Sequence, residues 1–329
     1  MPRGNGRPSI RDVAARAGVS HQTVSRVLNT PEKVAAPTRA RVEAAIRELG
    51  FRRSMAARSL AMSASRLVGV VAAQSSLFGP SAMALAIAEG VRANGYSSVQ
   101  VTVRDDVAET LRDAREHLLD TNVAGVIVLA WSEPTLALAE WFARRLPTVV
   151  VAEGELPGGL ARARGDHAGG AAAATRLLRE AGCRAVAHLA GPQHWLEARA
   201  RLAGWAAESS HRWLEAGWGA ADGYRVVEQL LRDAPETDGI VATNDHVAIG
   251  AMRWLAEHGV DVPGDVRVVG FDDIDVAPYL PVPLASVRQP FDEVGAAAVR
   301  LLLARLRGED PDDVTLPTTL VPRESAVGR

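Results

Sequence analysis

Residues 10–29, IRDVAARAGVSHQTVSRVLN, decide how the first part of this chain folds. Val13, Ala14 and Ala17 recur at helical spacing, and Val24, Val27 and Leu28 do so again beyond Gly18. Gly18 supplies a turn at which a positive φ is cheap only for glycine. Ser20 is placed as the N-cap of the second helix, and Ser9, three residues before Asp12, as that of the first. Two short amphipathic helices at a tight turn form the pattern of a helix-turn-helix, whose second helix lies in the DNA major groove. His21, Gln22, Ser25 and Arg26 fall opposite the apolar stripe. Gln can pair with both adenine edge atoms and Arg with both guanine acceptors. A solvated polar face on an ordinary helical domain would look the same, so spacing alone leaves that alternative open.

Charge around this stretch favours a polyanionic partner. The 329 residues carry a formal net charge of -2, but residues 1–62 hold 12 basic and 4 acidic side chains, a local +8 that leaves -10 for the remainder. A basic head on an acidic body suits a protein whose head alone touches nucleic acid. The length allows two or three domains. No apolar run is long enough to span a bilayer, and the basic opening MPRGNGRPSI lacks the apolar stretch of a secretory signal. A single cysteine, Cys183, excludes an intramolecular disulfide and fits a reducing compartment, so a cytoplasmic protein without membrane contact is expected. Cys183 reads as inert filler.

Beyond the second helix, residues 30–33 (TPEK) break the pattern as a loop. A third helix follows over 37–49, with Val42, Ile46 and Leu49 inward and Gly50 closing it. Residues 54–61 (SMAARSLA) can form a short helix, but below the length that sustains itself in water. From Arg66 the pattern becomes β-α alternation. Apolar runs at 67–73, 98–103, 125–130 and 148–152 form one series, and those at 185–190, 239–243 and 266–271 a second. Two such series imply two parallel α/β lobes with a cleft between them, where ligand groups gather at the carboxyl ends of strands.

Enzyme signatures are absent from the sequence. There is no Gly-x-Ser-x-Gly, phosphate-binding loop or dinucleotide fingerprint, and the His188/His194 spacing fits no metal motif. Paired acids such as Asp105-Asp106 and Asp312-Asp313 read as solvated loops. No catalytic residue, metal or cofactor is expected.

The segment DVAARAGVSHQTVSRVLN resembles, almost residue for residue, the headpiece signature of the LacI/GalR family of bacterial transcription regulators, and the likeness continues with gaps to near the C-terminus. It implies an α-helical headpiece (1–53), a hinge helix (54–64) that orders on DNA, and a periplasmic-binding-protein-like core of two Rossmann-like lobes. One lobe would comprise 65–164 and 291–318, the other 165–290 and 319–329, with crossings near Arg164, Gln289–Phe291 and Thr318. The DNA-contacting residues implied are Ser9, Ser20, His21, Gln22, Thr23, Ser25, Arg26, Asn29 and Lys33. Ala57 and Leu60 would join them from the hinge, with Leu60 as the wedge that kinks the duplex in its minor groove. The chain departs from the family at Ala35, where a helix-capping Ser is usual, and at Arg53-Ser54, where Pro-Asn usually begins the hinge.

In the cleft the resemblance implies Ser75, Phe78, Glu153, Arg199, Trp218, Asn244, Asp272, Gln289 and Phe291 as effector contacts. Arg199 is preferred to Arg201, Asp245 is assigned to capping its helix, and Asp272 is preferred to Asp273. The segment between Trp205 and Trp218 is shorter than in lactose-repressor-like members, which puts the placement of Trp218 in question. The resulting expectation is a homodimeric repressor of carbohydrate-utilisation genes, released from double-stranded operator DNA by a small galactoside-like sugar. The dimer, rather than a tetramer, follows from an ending at LVPRESAVGR without a leucine-repeat tail. A purine or other corepressor is the alternative within the family, and a solute-binding receptor the alternative outside it.

Overall fold

The computed structural model describes residues 8–51, 65–73, 77–104, 107–156 and 158–328. Ala57, Leu60 and the rest of the expected hinge, Ser75, and the side chain of Asn29 lie outside the described residues. The chain divides into two compact units, residues 1–65 and 66–329.

In the first unit, α1 (Ile10–Ala17) and α2 (His21–Asn29) are joined through Gly18, whose φ of 62° closes α1 with its N–H on the Ala14 and Ala15 carbonyls. Ser9 and Asp12 form a reciprocal capping box at the start of α1, and Ser20 Oγ accepts from Thr23 N at the start of α2. After a 3₁₀ turn (Pro31–Lys33), α3 (Ala36–Leu49) begins at Ala35 with no side-chain cap and ends at Gly50, φ 61°. Val13, Val24 and Val42, one from each helix, are completely buried together. Each contributes about 1.5 kcal/mol or more by leaving water, which is how so short a sequence holds three helices. Arg16 forks onto Glu48 at 2.6 and 2.9 Å, tying α1 to α3 across the surface.

The second unit contains two six-stranded sheets. The first is built from β1 (Leu67–Ala73), β2 (Ser97–Val103), β3 (Gly125–Leu129), β4 (Thr148–Val151), β5 (Ala161–Gly165) and, from late in the chain, β11 (Val314–Leu316). Its order is β11-β5-β4-β3-β1-β2, parallel throughout. The helices α4 (Phe78–Ala93), α5 (Ala108–Asp120) and α6 (Glu133–Ala143) connect its strands. Strands β1 and β3 are apolar along nearly their whole length because helices cover both faces.

The second sheet takes β6 (Val186–Ala190), β7 (Trp213–Glu215), β8 (Gly239–Ala242), β9 (Arg267–Asp272), β10 (Ala285–Arg288) and β12 (Thr319–Val321). Its order is β12-β10-β9-β8-β6-β7, with β12 alone antiparallel to its neighbour. With it go α7 (His167–Glu180), α8 (Leu196–Ala206), α9 (Ala220–Asp233) and α10 (Asp245–Glu257). The helix α11 (Phe291–Leu306) returns to the first sheet, and α12 (Glu324–Val327) packs under the second. The chain thus passes between sheets after β5, after β10 and between β11 and β12. Cores lie on both faces of each sheet, so the lobes are separately stabilised.

Several strands are invisible to apolar patterning. β5, ARARG, alternates buried Ala161, Ala163 and Gly165 with Arg162 and Arg164. Those arginines are held by Asp313 at 2.9 Å and Glu153 at 2.8 Å, so a strand carrying two charges still sits inside the sheet.

Candidate functional site

On the headpiece, the core pattern dictates what faces out. With Val24 and Val27 buried, His21, Gln22 and Arg26 are exposed on the other side of α2, and Ser25 is half-buried. Ser20 and Thr23 meet through their hydroxyls at 2.9 Å, ordering the first turn of that helix. Lys33 is exposed on the 3₁₀ turn. The exposed face therefore presents the side-chain donors and acceptors of His21, Gln22 and Arg26, with the Lys33 ammonium on the turn that follows.

Between the lobes of the second unit lies a cavity of about 90 Å³, several times the roughly 10–15 Å³ that one water requires. Its walls are mostly apolar, with a few convergent polar groups, as small-molecule sites generally are. Glu153, Trp218, Asp272, Gln289 and Phe291 line it. Phe78 does not, but it braces Phe291 edge-on at 5.9 Å, and its neighbours Leu77 and Gly79 reach the cavity.

Two expectations change. Arg199 lies away from the cavity, exposed and paired with Glu133 at 2.8 Å. The arginine of α8 that lines it is Arg201, which shares the buried face of that helix with Ala198 and Trp205. Its guanidinium donates to His167 Nδ1 at 3.2 Å and to the Thr243 carbonyl, and approaches Asp272 at 3.5 Å. It also stacks over Phe271, 4.0 Å from the ring centre. The second change concerns α10, whose cap is Asn244, with Oδ1 accepting from Val247 N at 2.9 Å. Asp245 is instead fully buried, accepting from Ser286 Oγ at 2.6 Å and Ile274 N at 2.8 Å. Burial, reinforced by the charge of Asp272, pushes its carboxyl up to about 7. Asn244 is not among the cavity-lining residues, and its Nδ2 donates to the Trp218 carbonyl at 3.0 Å, fixing that loop.

Asp272 ends β9 with φ 105°, and Asp273 follows at φ 54°. Such backbone costs on the order of 1–3 kcal/mol in a non-glycine residue. Two sets of contacts hold it in place. Asp273 is gripped by Arg288 and Arg323, each at 2.6 Å, while Asp272 accepts from Gln289 Nε2 at 2.6 Å and faces the cavity. The strain thus turns adjacent acids to different tasks. Burial raises the Asp272 carboxyl and Arg201 opposes that shift.

Sequence reasoning missed His167, Glu197, Arg164 and the tryptophans Trp131 and Trp195, all in the cavity wall. Burial, then the charges of Arg201 and Arg164, holds His167 well below the usual imidazole range. It is neutral, and since Nδ1 accepts from Arg201, its proton resides on Nε2. Trp195 packs 5.8 Å from Trp131 and 5.1 Å from Trp218. Arg164 lies within the charged strand β5, His167 and Glu197 in the first turns of α7 and α8, and Trp131 and Trp195 in the loops that precede α6 and α8, so no apolar periodicity marks them as a group. Elsewhere, His188 is buried against the Val241 carbonyl with its pKa lowered to about 4, chiefly by burial. Burial likewise raises the Cys183 thiol, which disfavours its thiolate. Among the described residues no helix is long and apolar enough to cross a membrane.

A helix-turn-helix headpiece followed by two α/β lobes around a polar-studded cavity defines a ligand-responsive DNA-binding regulator. Residues 9–54 match the profile of the bacterial regulatory proteins, lacI family, and residues 175–326 that of the periplasmic binding protein-like domain. The chain is 33% identical to the lactose operon repressor of Escherichia coli (strain K12) over 334 residues, covering 97% of this chain and 91% of that protein. It is 32% identical to the HTH-type transcriptional repressor PurR of Escherichia coli O1:K1, covering 96% of each. Among solved structures, the lac repressor dimer bound to operator and the anti-inducer ONPF matches with TM-score 0.88 at 30% identity, covering 98% of this chain and 100% of that one. A complex of the transcriptional regulator CelR with cellobiose matches with TM-score 0.71 at 29% identity, covering 97% and 100%. The chain belongs to the LacI family of DNA-binding transcriptional repressors, with a periplasmic-binding-protein-like effector core, and is a regulator rather than an enzyme.

Proposed function

We propose that this repressor binds a near-palindromic operator as a homodimer and is released when a small sugar closes its lobes. Each protomer would offer one α2 to one half-site, so the two-fold symmetry of the dimer sets that of the site. His21, Gln22 and Arg26 read bases, with Ser9, Ser20, Thr23, Ser25, Asn29 and Lys33 beside them; Ala57 and Leu60 act from the hinge. The observation that carries the effector side is the Asp272–Arg201–Gln289 group beside Trp218 in the cavity, with the Arg201 guanidinium 5.7 Å from the centre of that indole. A carboxylate accepts from neighbouring hydroxyls, the fixed guanidinium donates, and a flat indole offers a sugar ring an apolar face. Sugar binding that favours one arrangement of the lobes lowers operator affinity by its differential affinity for the two states.

The test is selection of duplexes from a random pool by the full-length chain, followed by binding with and without sugars. A two-fold symmetric consensus lost on Arg26→Ala and weakened by a sugar supports the reading. An asymmetric consensus, or binding tightened by purines and indifferent to sugars, would replace it with a corepressor mechanism.

A further inference from the structure

The cavity's charges do not balance. Three carboxyls, Glu153, Glu197 and Asp272, face two guanidiniums, Arg164 and Arg201. Arg164 is taken by Glu153 at 2.8 Å and Arg201 lies beside Asp272 at 3.5 Å, while His167 is neutral. Glu197 is left without a counter-charge of its own among the described lining residues. Glu153 follows β4 in one lobe and Glu197 lies in the first turn of α8 in the other. Glu153 Oε1 and Glu197 Oε2 are both buried without a hydrogen-bond partner, and Trp218 Nε1 is a third such atom in the same cavity. Buried polar atoms of this kind are costly unless something satisfies them.

A ligand that satisfies both oxygens supplies hydrogens to two acceptors, and one that carries positive charge also offsets the third carboxyl when it ionises. Two hydroxyls of a neutral sugar could pair with both oxygens, but they bring no charge. A primary ammonium offers three hydrogens and one positive charge. The neighbouring indoles of Trp131, Trp195 and Trp218 present aromatic surface of the kind that also attracts cations. We propose that the effector carries a protonated primary amine, seated between Glu153 and Glu197, and is an amino sugar or similarly amine-bearing polyol.

This rests on the sugar-responsive reading above and narrows it. Binding would also release a proton near neutral pH. Burial pushes Glu197 up to about 7, with the Glu153 charge adding to the rise and Arg201 opposing it, and an ammonium would draw the carboxyl into its ionised form. Arg164, Arg201, Asp272 and His167 are the other ionisable groups of the wall.

The test is a thermal-shift and calorimetric comparison of the full chain with galactosamine and glucosamine, their N-acetyl counterparts, galactose, glucose, adenine and hypoxanthine. A hexosamine should bind and release a proton, seen as buffer-dependent heat, while its N-acetyl form, with the charge removed, binds far more weakly. Glu197→Gln should weaken the hexosamine by about tenfold or more, the scale of one charged hydrogen bond. Failure of both hexosamines to bind overturns the inference. So does neutral sugar binding as tightly as its amine, or a Glu197→Gln chain that does not distinguish them; either result leaves the sugar-responsive reading standing. Binding of purines alone overturns both.

Discussion

Arg201 Nη2 lies 3.5 Å from Asp272 Oδ1 with the two side chains 5% and 6% exposed, so each charge is held inside the cavity wall largely by the other. Removing either leaves a buried partner uncompensated, whereas an exposed pair contributes little. Arg201→Ala is expected to destabilise the core by about 3–5 kcal/mol and to abolish protection by bound sugar. Arg199→Ala, which breaks only the exposed pair with Glu133, should cost under about 1 kcal/mol and leave that protection intact. Urea denaturation with and without ligand separates the two outcomes, and equal losses would contradict the assignment of Arg201.

On the headpiece, folding and reading should separate by face. Val24→Ala removes a completely buried contact among the three helices and should cost about 1–3 kcal/mol of headpiece stability. Gln22→Ala should leave stability within about 0.5 kcal/mol and reduce discrimination at one base pair by about 1–3 kcal/mol. Circular dichroism melting together with binding to single-substituted duplexes checks both.

Lys33 is exposed on the 3₁₀ turn beside α2. Lys33→Ala should weaken all duplexes alike and reduce the slope of log affinity against log salt by about 1. A loss confined to one sequence would mean that Lys33 reads a base.

Glu197 makes core stability depend on pH in a defined direction. Its pKa rises from 4.5 to about 7 on folding, mainly by burial. Below the lower value the carboxyl is protonated in both states. Between the two values the unfolded chain has lost the proton and the folded chain keeps it, so stability falls as pH rises, and above the upper value the loss is complete. His188, lowered from 6.5 to about 4, acts in the opposite sense between those values and Asp245, raised from 3.8 to about 7, in the same sense, so comparison with a variant isolates Glu197. Relative to Glu197→Gln, the parent should lose on the order of 3 kcal/mol between pH 4.5 and 7. A pH-independent difference would place Glu197 in water.

The headpiece was legible because everything it needs is local: a helical period, Ser9 and Ser20 as caps, and Gly18 and Gly50 as stops. The buried strands β1 and β3 were legible as apolar runs. The strand β5 was not, because Arg162 and Arg164 find their partners through Asp313 and Glu153, far away in sequence or in another loop. The arginine that α8 gives the cavity could have been chosen correctly. Ala198, Arg201 and Trp205 share one helical face, and Arg199 sits about 200° around the helix from Arg201. That Asn244 rather than Asp245 caps α10 could not be read locally. Both side chains suit a cap, and the choice is made by Ser286, which a different strand brings to Asp245. Glu197 lay in plain view in the same helix, but its significance is burial without a partner, a property of the assembled lobes.

The central claim is that the cavity controls the headpiece, and Asp272→Ala tests it most directly. Fluorescence anisotropy would follow binding of the parent and the variant to a selected operator duplex, with and without a sugar that stabilises the parent. The expected result is similar operator affinity for both chains, with sugar releasing DNA from the parent alone. An Asp272→Ala chain that still releases DNA, or a parent whose operator affinity ignores a sugar it binds, would contradict the account.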